Sequence, residues 1–304
     1  MRNLGYQRCI LCRQRPPIKN SHVIPKFVFK WMVETGGTKF LRNAGSPNKR
    51  VQDGLKAPLL CKTCERETSV FENEFSRDIF IPSIGDGELP KNFKRSTYQF
   101  VASVHHRIQT YYVRNSDKLD ELTRHERKAL LHSIAEIRGY LSGQRYSVSP
   151  QKLYLIPFGL GVPNNLQDMP SNWHRYIRRH TEMDLIHSEG GSIFGSYFKI
   201  GPWLSFCLIR NNGQPWYGGE VFPTSSKITN KRAIFPPTLH EFMIDRAELA
   251  KSATETISDR QQAVINKAVS EADFSGKSKP MLDAIAEDVR VFGNAAFRRT
   301  PKTS

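Results

Sequence analysis

Leu59-Leu60-Cys61-Lys62-Thr63-Cys64-Glu65 is the stretch on which the fold turns. A C-x2-C turn offers two sulfurs at the bite of a tetrahedral metal site. A second such turn, Cys9-Ile10-Leu11-Cys12, lies 48 residues upstream. Cys9, Cys12, Cys61 and Cys64 together would close a tetrahedron and leave no open position, so the expected ion is a structural Zn²⁺ that does not itself activate water. The competing readings are a redox pair or a fortuitous one. In a reduced compartment paired C-x2-C turns read as metal ligands rather than disulfides. The 48-residue separation exceeds the ~15–20 of a compact zinc ribbon, which implies that something useful is inserted. The fifth cysteine, Cys207, sits in the apolar run Trp203–Ile209 and is expected to be a buried strand residue.

Outward from the cysteines, Ser21-His22-Val23-Ile24-Pro25 reads as a short extended piece stopped by proline. Lys26 to Glu34 reads as a helix carrying Phe27, Trp31 and Met32 and ended by Gly36-Gly37. Lys39–Arg42 and Arg50–Gln52 are expected to pair as a hairpin across Gly45-Ser46-Pro47-Asn48. A helix is expected from near Cys64 to about Phe80, with the stripe Phe71, Phe75 and Ile79. Pro82, Gly85, Gly87 and Pro90 read as a break. The expected fold class is therefore α+β: a zinc-binding ββα module over 1–90, then a larger region over 91–304 of mixed helices and antiparallel strands. That region reads as two helices within 96–145, an extended piece over 150–160 and a short helix Trp173–His180. Strands are expected over about 183–222 (Met183–His187, Ile193–Ile200, Trp203–Arg210, Trp216–Phe222). Helices close the chain over 238–270 and 280–292, with a frayed tail from Arg298.

The chain has 304 residues and a net charge of +16. The charge is concentrated: residues 1–60 hold twelve Lys/Arg against Glu34 and Asp53, or +10, whereas residues 61–95 hold six against seven, or −1. A basic head beside an acidic helix points to a polyanionic partner next to the metal site. The bland alternative is a charge that serves solubility alone. Met1 to Leu11 carries no apolar leader, and no stretch approaches the ~18 apolar residues of a membrane span. The expected setting is cytoplasmic, away from the membrane.

Taken together, Cys9-x2-Cys12, Ser21-His22-Val23-Ile24-Pro25 and Leu59-Leu60-Cys61-x2-Cys64-Glu65 resemble the zinc-stapled HNH (ββα-metal, or His-Me finger) endonucleases. The resemblance covers residues 1–80, about a quarter of the chain. It implies a ββα fold in which zinc fixes strand against helix, His22 as the general base, and Glu65, opening the helix, as a ligand of a catalytic divalent ion. Three positions differ from the family's pattern. Ser21 stands where Asp or His often precedes the base, Glu65 replaces the last His, and no Asn stands within Gln52–Pro58 just before the second cysteine pair, Asn43 and Asn48 lying further upstream. Gln52 or Asp53 is available to orient the base instead, and Lys56 to hold a phosphate.

The chemistry suits these residues. Neutral imidazole can deprotonate water near physiological pH, and a hard cation, Mg²⁺ or Mn²⁺, held by carboxylates stabilises charge on a phosphodiester. Glu65 and Glu72 are seven apart and share a helical face, which makes Glu72 the second expected ligand. The bland readings are a histidine bonded to local backbone and a glutamate placed for the helix dipole. Lys19, Lys26, Lys49, Arg50 and Lys56 are the expected phosphate contacts. Elsewhere, His105-His106 reads as a packed pair. His125, His132 and Glu136 read as a solvated face, and Trp173, Trp203 and Trp216, which could stack on bases, read more simply as core. Arg175, Arg178, Arg179 and His180 form a basic helix end, useful for phosphate or simply surface.

These readings converge on a metal-dependent endonuclease acting on DNA, and the pairing of a small module with a large accessory region fits prokaryotic defence by analogy. The rivals are a non-catalytic zinc-dependent nucleic-acid binder and an RNA-cleaving nuclease. The region from 91 onward is expected to carry target recognition, homo-oligomerisation or a partner protein.

Overall fold

A computed structural model describes residues 8–85, 89, 92–160, 169–213, 216–224, 226–227, 236–272, 276 and 279–297. The expected tail from Arg298, and Gly87 and Pro90 of the expected break, lie outside these residues.

The N-terminal region is built from short strands. β1 (Ser21–His22) pairs antiparallel with β4 (Lys56–Ala57), Ser21 opposite Ala57 and His22 opposite Lys56. Pro25 stops β1 and stands at the N-cap of helix α1 (Lys26–Glu34). There its missing N–H costs nothing, because first-turn donors have no intrahelical partner. β2 (Leu41–Asn43) and β3 (Ser46–Val51) form a hairpin with Leu41 opposite Val51 and Arg42 opposite Arg50. The turn is tighter than expected: Asn43 lies opposite Ser46, and the Gly45 amide donates to Asn43 Oδ1.

Helix α2 (Lys62–Phe75) starts two residues earlier than expected and is not broken at Pro82. It widens into a π turn over Ser76–Phe80 and continues as α3 (Ile81–Gly85). The π turn removes the one-residue register at which a proline ring would strike the preceding carbonyl, so Pro82 sits in the first turn of α3. β5 (Asn92–Phe93) leads into α4 (Arg95–Asn115), followed by α5 (Lys118–Glu121) and α6 (Arg124–Leu141). The two helices expected over 96–145 are thus α4 and α6, separated by the single turn of α5. Thr123 caps α6 in a reciprocal box with Glu126.

The larger region is organised by one four-stranded antiparallel sheet of order β6-β9-β8-β7, formed by β6 (Lys152–Ile156), β7 (Thr181–His187), β8 (Ile193–Ile200) and β9 (Trp203–Asn211). Helix α7 (Trp173–Arg179) precedes β7. A short β10 (Ser226–Lys227) pairs with β5. Helices α8 (Pro237–Glu255), α9 (Asp259–Ser270) and α10 (Lys279–Phe292) close the chain. The strand expected over Trp216–Phe222 is corrected. Glu220 makes a single bridge to Tyr154, with Leu155 N–H to Gly219 O at 2.7 Å and Val221 N–H to Leu153 O at 2.9 Å. Gly218 and Gly219 take positive φ (78° and 73°), which bends the chain away from a regular ladder.

β8 is buried along its whole length because the sheet is covered on both faces. Phe194, Phe198 and Ile200 face the core shared with α4, while Ile193 and Tyr197 face the cluster of Trp173, Tyr176, Leu239 and Met243. Alternation of period two therefore survives as a choice between two cores rather than between core and water. The first core runs without a break from Cys9 and Leu59 through Phe75 and Phe100 to Trp203. Phe75 of α2 stacks on Phe100 of α4 at 3.9 Å between centroids. Trp203 packs edge-on against Phe75 and donates to Ser83 Oγ at 2.9 Å.

The expected packed pair His105-His106 is buried. Ser205 donates to Tyr154 O at 2.7 Å, so it accepts from His105 Nε2–H at 3.0 Å, and His105 Nδ1 accepts from Ser196 at 2.9 Å. Burial pushes the His105 pKa down to about 3, which keeps the ring neutral as both bonds require. Cys207 is fully buried in β9, as expected. Among the described residues no helix is long and apolar enough to cross a membrane.

Candidate metal centre and adjoining polar site

The two cysteine turns are brought together by backbone. Ile10 N–H donates to Leu59 O at 2.9 Å and Ile18 N–H to Leu60 O at 2.8 Å, which lays the first turn along the segment entering Cys61. Arg13, directly after Cys12, takes φ 57°. That left-handed residue reverses the chain so that the amides of Gln14 and Arg15 reach the Cys12 thiol. Burial opposes ionisation there, but these amides outweigh it and bring the Cys12 pKa down to about 7. Burial pushes the Cys9 and Cys64 thiols up.

The four sulfurs of Cys9, Cys12, Cys61 and Cys64 lie within 4.8 Å of one another, and Cys12 and Cys61 are 3.8 Å apart. Four Zn–S bonds of about 2.3 Å at tetrahedral angles set sulfurs about 3.8 Å apart. All five cysteines are free thiols. The quartet fits a structural metal ion such as zinc, and it would staple the N-terminal turn to the start of α2. Among the described residues no other group of three or more His, Cys, Asp or Glu ligand atoms is gathered this closely.

The β1–β4 pair and α2 place the other expected residues in one neighbourhood. Cys61 is the N-cap of α2, so Glu65 lies in its first turn, where the helix dipole favours a carboxylate. Ser21, fully buried, donates from Oγ to Glu65 Oε2 at 2.8 Å. One residue along β1, His22 Nε2 is 2.9 Å from Asp53 Oδ1. Asp53 also receives Lys56 Nζ on Oδ2 at 2.7 Å and the Gly54 amide on Oδ1 at 2.8 Å. Burial opposes ionisation of Asp53, but Lys56, His22 and Gly54 overcome it and hold its pKa down to about 2. A carboxylate at Nε2 keeps the proton on that nitrogen and leaves the Nδ1 lone pair free to accept. Of the two residues expected to orient His22, it is Asp53 that touches it.

Gly54 is required by close approach: a Cβ there would lie 2.0 Å from the Phe29 ring, which stacks on His22 with centroids 6.5 Å apart.

Glu72 is held differently from Glu65. Its Oε1 accepts from Arg107 Nη2 at 2.7 Å, and Arg107 Nη1 donates to His22 O at 3.0 Å. Burial pushes the Glu72 carboxyl up, and the Arg107 guanidinium pulls against that. Arg107 is 1% exposed, and sequence reading missed it. The available signal was a cation at the end of His105-His106-Arg107 inside the apolar pattern of Val101, Val104 and Ile108. Through it α4 reaches both β1 and α2. Replacing Arg107 with methionine would leave the Glu72 carboxylate without its cation. The expected loss is about 3–5 kcal/mol in urea unfolding, largely recovered in the double variant with Glu72→Leu. A single-variant loss below about 1 kcal/mol would contradict this account.

The expected phosphate contacts fall into two groups. Lys19, Lys26, Lys49 and Arg50 are exposed. Lys56 is on Asp53, and Arg50 lies over the Phe40 ring at 5.5 Å. Lys49 and Arg50 sit on the β2–β3 hairpin, which is fastened to the turn between α8 and α9 by Asn48, bonded to Thr256 O and to the Ser258 amide. His132 approaches Glu136 at 3.8 Å while Arg145 holds the same carboxylate at 3.0 Å; the two cations are exposed, but Glu136 is buried, which corrects the expected solvated face at that residue. Trp173 and Trp203 are core residues.

Comparison of the chain with family models, with curated proteins and with solved structures found no match.

Proposed function

We propose that the protein is a metal-dependent phosphodiester hydrolase of the HNH type, acting on DNA. The observation that carries this reading is His22 on β1, its Nε2 held by an ionised Asp53, one residue from Ser21, whose hydroxyl anchors Glu65 at the mouth of α2. In this reading His22 Nδ1 takes a proton from the attacking water. Asp53 fixes the ring's tautomer and stabilises the imidazolium that forms. Ser21 and Arg107 are positioning residues, the first for Glu65, the second for the His22 backbone and Glu72. Glu65, and Glu72 through its second oxygen, are the side chains that would hold a Mg²⁺ or Mn²⁺ ion. Such an ion would supply charge stabilisation at the phosphate and leaving oxygen. The zinc quartet fixes strand against helix, and the +10 head supplies attraction to the backbone of a nucleic acid.

Plasmid nicking with Mg²⁺ or Mn²⁺ tests the reading, comparing wild type with Glu65→Ala and Asp53→Asn. Glu65→Ala is expected to lose cleavage at any attainable metal concentration. Asp53→Asn is expected to lower kcat by about 10²-fold or more with little change in KM, because a neutral amide no longer selects the tautomer. Equal nicking by all three proteins contradicts the reading. Retained DNA binding with no cutting even in wild type favours a zinc-dependent binder. Cutting of structured RNA alone favours a ribonuclease.

A further inference from the structure

Away from the cysteines and from His22, a cleft of about 240 Å³ opens between the β2–β3 hairpin, α7, α8 and α10. Its walls carry Arg42 from β2, Arg175 and Arg179 from α7, and the apolar side chains of Ala250, Ile257 and Met281. Arg175 is neutralised by Asp288, whose carboxylate takes its Nε at 2.7 Å. The other two arginines are not neutralised. Arg179 is 8% exposed, donates to Thr35 Oγ1 at 2.8 Å and lies 4.3 Å over the Trp31 ring, all uncharged partners. Arg42 donates to Pro47 O and Gln261 Oε1, and its Nε is buried with no partner. Among the described residues no carboxylate pairs with either.

A buried guanidinium without a counter-ion is costly; Arg179 is buried and Arg42 half-buried with its Nε shielded, and the two on one cleft make a place where an anion would be the missing partner. Guanidinium forks suit the oxygens of a phosphate. The cleft is larger than a phosphate group needs, and its other wall is apolar. Asn172 Oδ1, also on the wall, is buried and unpartnered and would accept from a ligand hydroxyl or amine.

We infer that this cleft binds a small organic phosphate monoester, of nucleoside monophosphate size or below, with its phosphate between Arg42 and Arg179. This site is separate from the one proposed for phosphodiester hydrolysis and does not depend on it.

The test is thermal unfolding of the full chain without added divalent ion, at constant ionic strength, titrated with a deoxynucleoside 5′-monophosphate, the matching nucleoside, or inorganic phosphate. The expected result is a saturable rise in Tm with the monophosphate, none with the nucleoside, and at least tenfold weaker binding of inorganic phosphate. Arg42→Gln should weaken the monophosphate at least tenfold. Arg179→Met should abolish its effect while keeping an unliganded Tm at least as high as wild type, since it removes an uncompensated charge. Glu65→Ala should leave the effect intact. If Arg179→Met does not fold, Arg42→Gln decides alone. No saturable shift, a shift unchanged in the arginine variants, or one lost in Glu65→Ala overturns the inference. Equal affinity for inorganic phosphate overturns its organic part.

Discussion

Replacing His22 with alanine is expected to reduce Mg²⁺- or Mn²⁺-dependent DNA cleavage by about 10²–10⁴-fold, the range a positioned general base supplies, while zinc content stays at one per chain. The asymmetry follows from the contacts. The side chain of His22 is partly exposed and bonds Asp53, but Asp53 keeps Lys56 and the Gly54 amide when the ring is gone. The backbone contact from Arg107 goes to the carbonyl of residue 22 and survives any side-chain change. Loss of one partly exposed hydrogen bond costs about 1 kcal/mol of stability, too little to unfold the chain. A large fall in cleavage with a small fall in Tm therefore separates chemistry from structure. Unchanged cleavage would remove His22 from the mechanism. A Tm drop of many degrees would return it to a structural role.

The second large effect concerns the metal. Removing it with a strong chelator, or replacing Cys61 with serine, is expected to release zinc from one equivalent to near zero and to unfold the N-terminal region in the same transition. Structural zinc sites carry about 10–16 kcal/mol of apparent binding free energy, as much as the entire stability of a typical domain. The quartet has little else to replace it, because the strands between its two cysteine turns are short: β1 and β4 are two residues each. Cys61 also caps α2 and follows Leu59 and Leu60, which are 0% and 1% exposed, so the loss should spread into the shared core. Metal analysis alongside circular-dichroism melting reads both. A zinc-free protein that melts like wild type would refute a structural ion.

Asp53 adds a pH signature to the same region. Its folded-state pKa of about 2 lies below the ~3.9 of an unfolded aspartate. Its contribution to stability is therefore complete above roughly pH 5 and lost as pH falls toward 2. Asp53→Asn should flatten that part of the acid unfolding curve.

Much of the framework was legible because it rests on local pattern. Two C-x2-C turns announce four sulfurs at one point. Pro25 marks the end of β1. The runs Ile193–Ile200 and Trp203–Arg210 announce strands by their β-branched and aromatic content, and β8 begins and ends at the expected residues. What escaped reading depends on contacts distant in sequence. Pro82 looks like a break until the π turn before it is seen. Trp216–Phe222 has the aromatic and β-branched residues of a strand, but its glycines bend it to a single bridge with β6. Gln52 and Asp53 were equivalent candidates beside His22, and only the pairing of β1 with β4 brings Asp53 to the ring. Arg107 lies 35 residues from Glu72, and no periodicity reports that a cation on α4 will cross to α2. The uncompensated arginines belong to the same class, since β2 and α7 meet only in the folded chain.

The most direct measurement is a crystal structure grown with Mn²⁺, read by its anomalous signal. The account predicts two sites: one ion inside the four cysteines, and a second within about 2.0–2.6 Å of a Glu65 oxygen, facing Nδ1 of His22. A single peak at the cysteines, with no ion on Glu65 at saturating Mn²⁺, would contradict it.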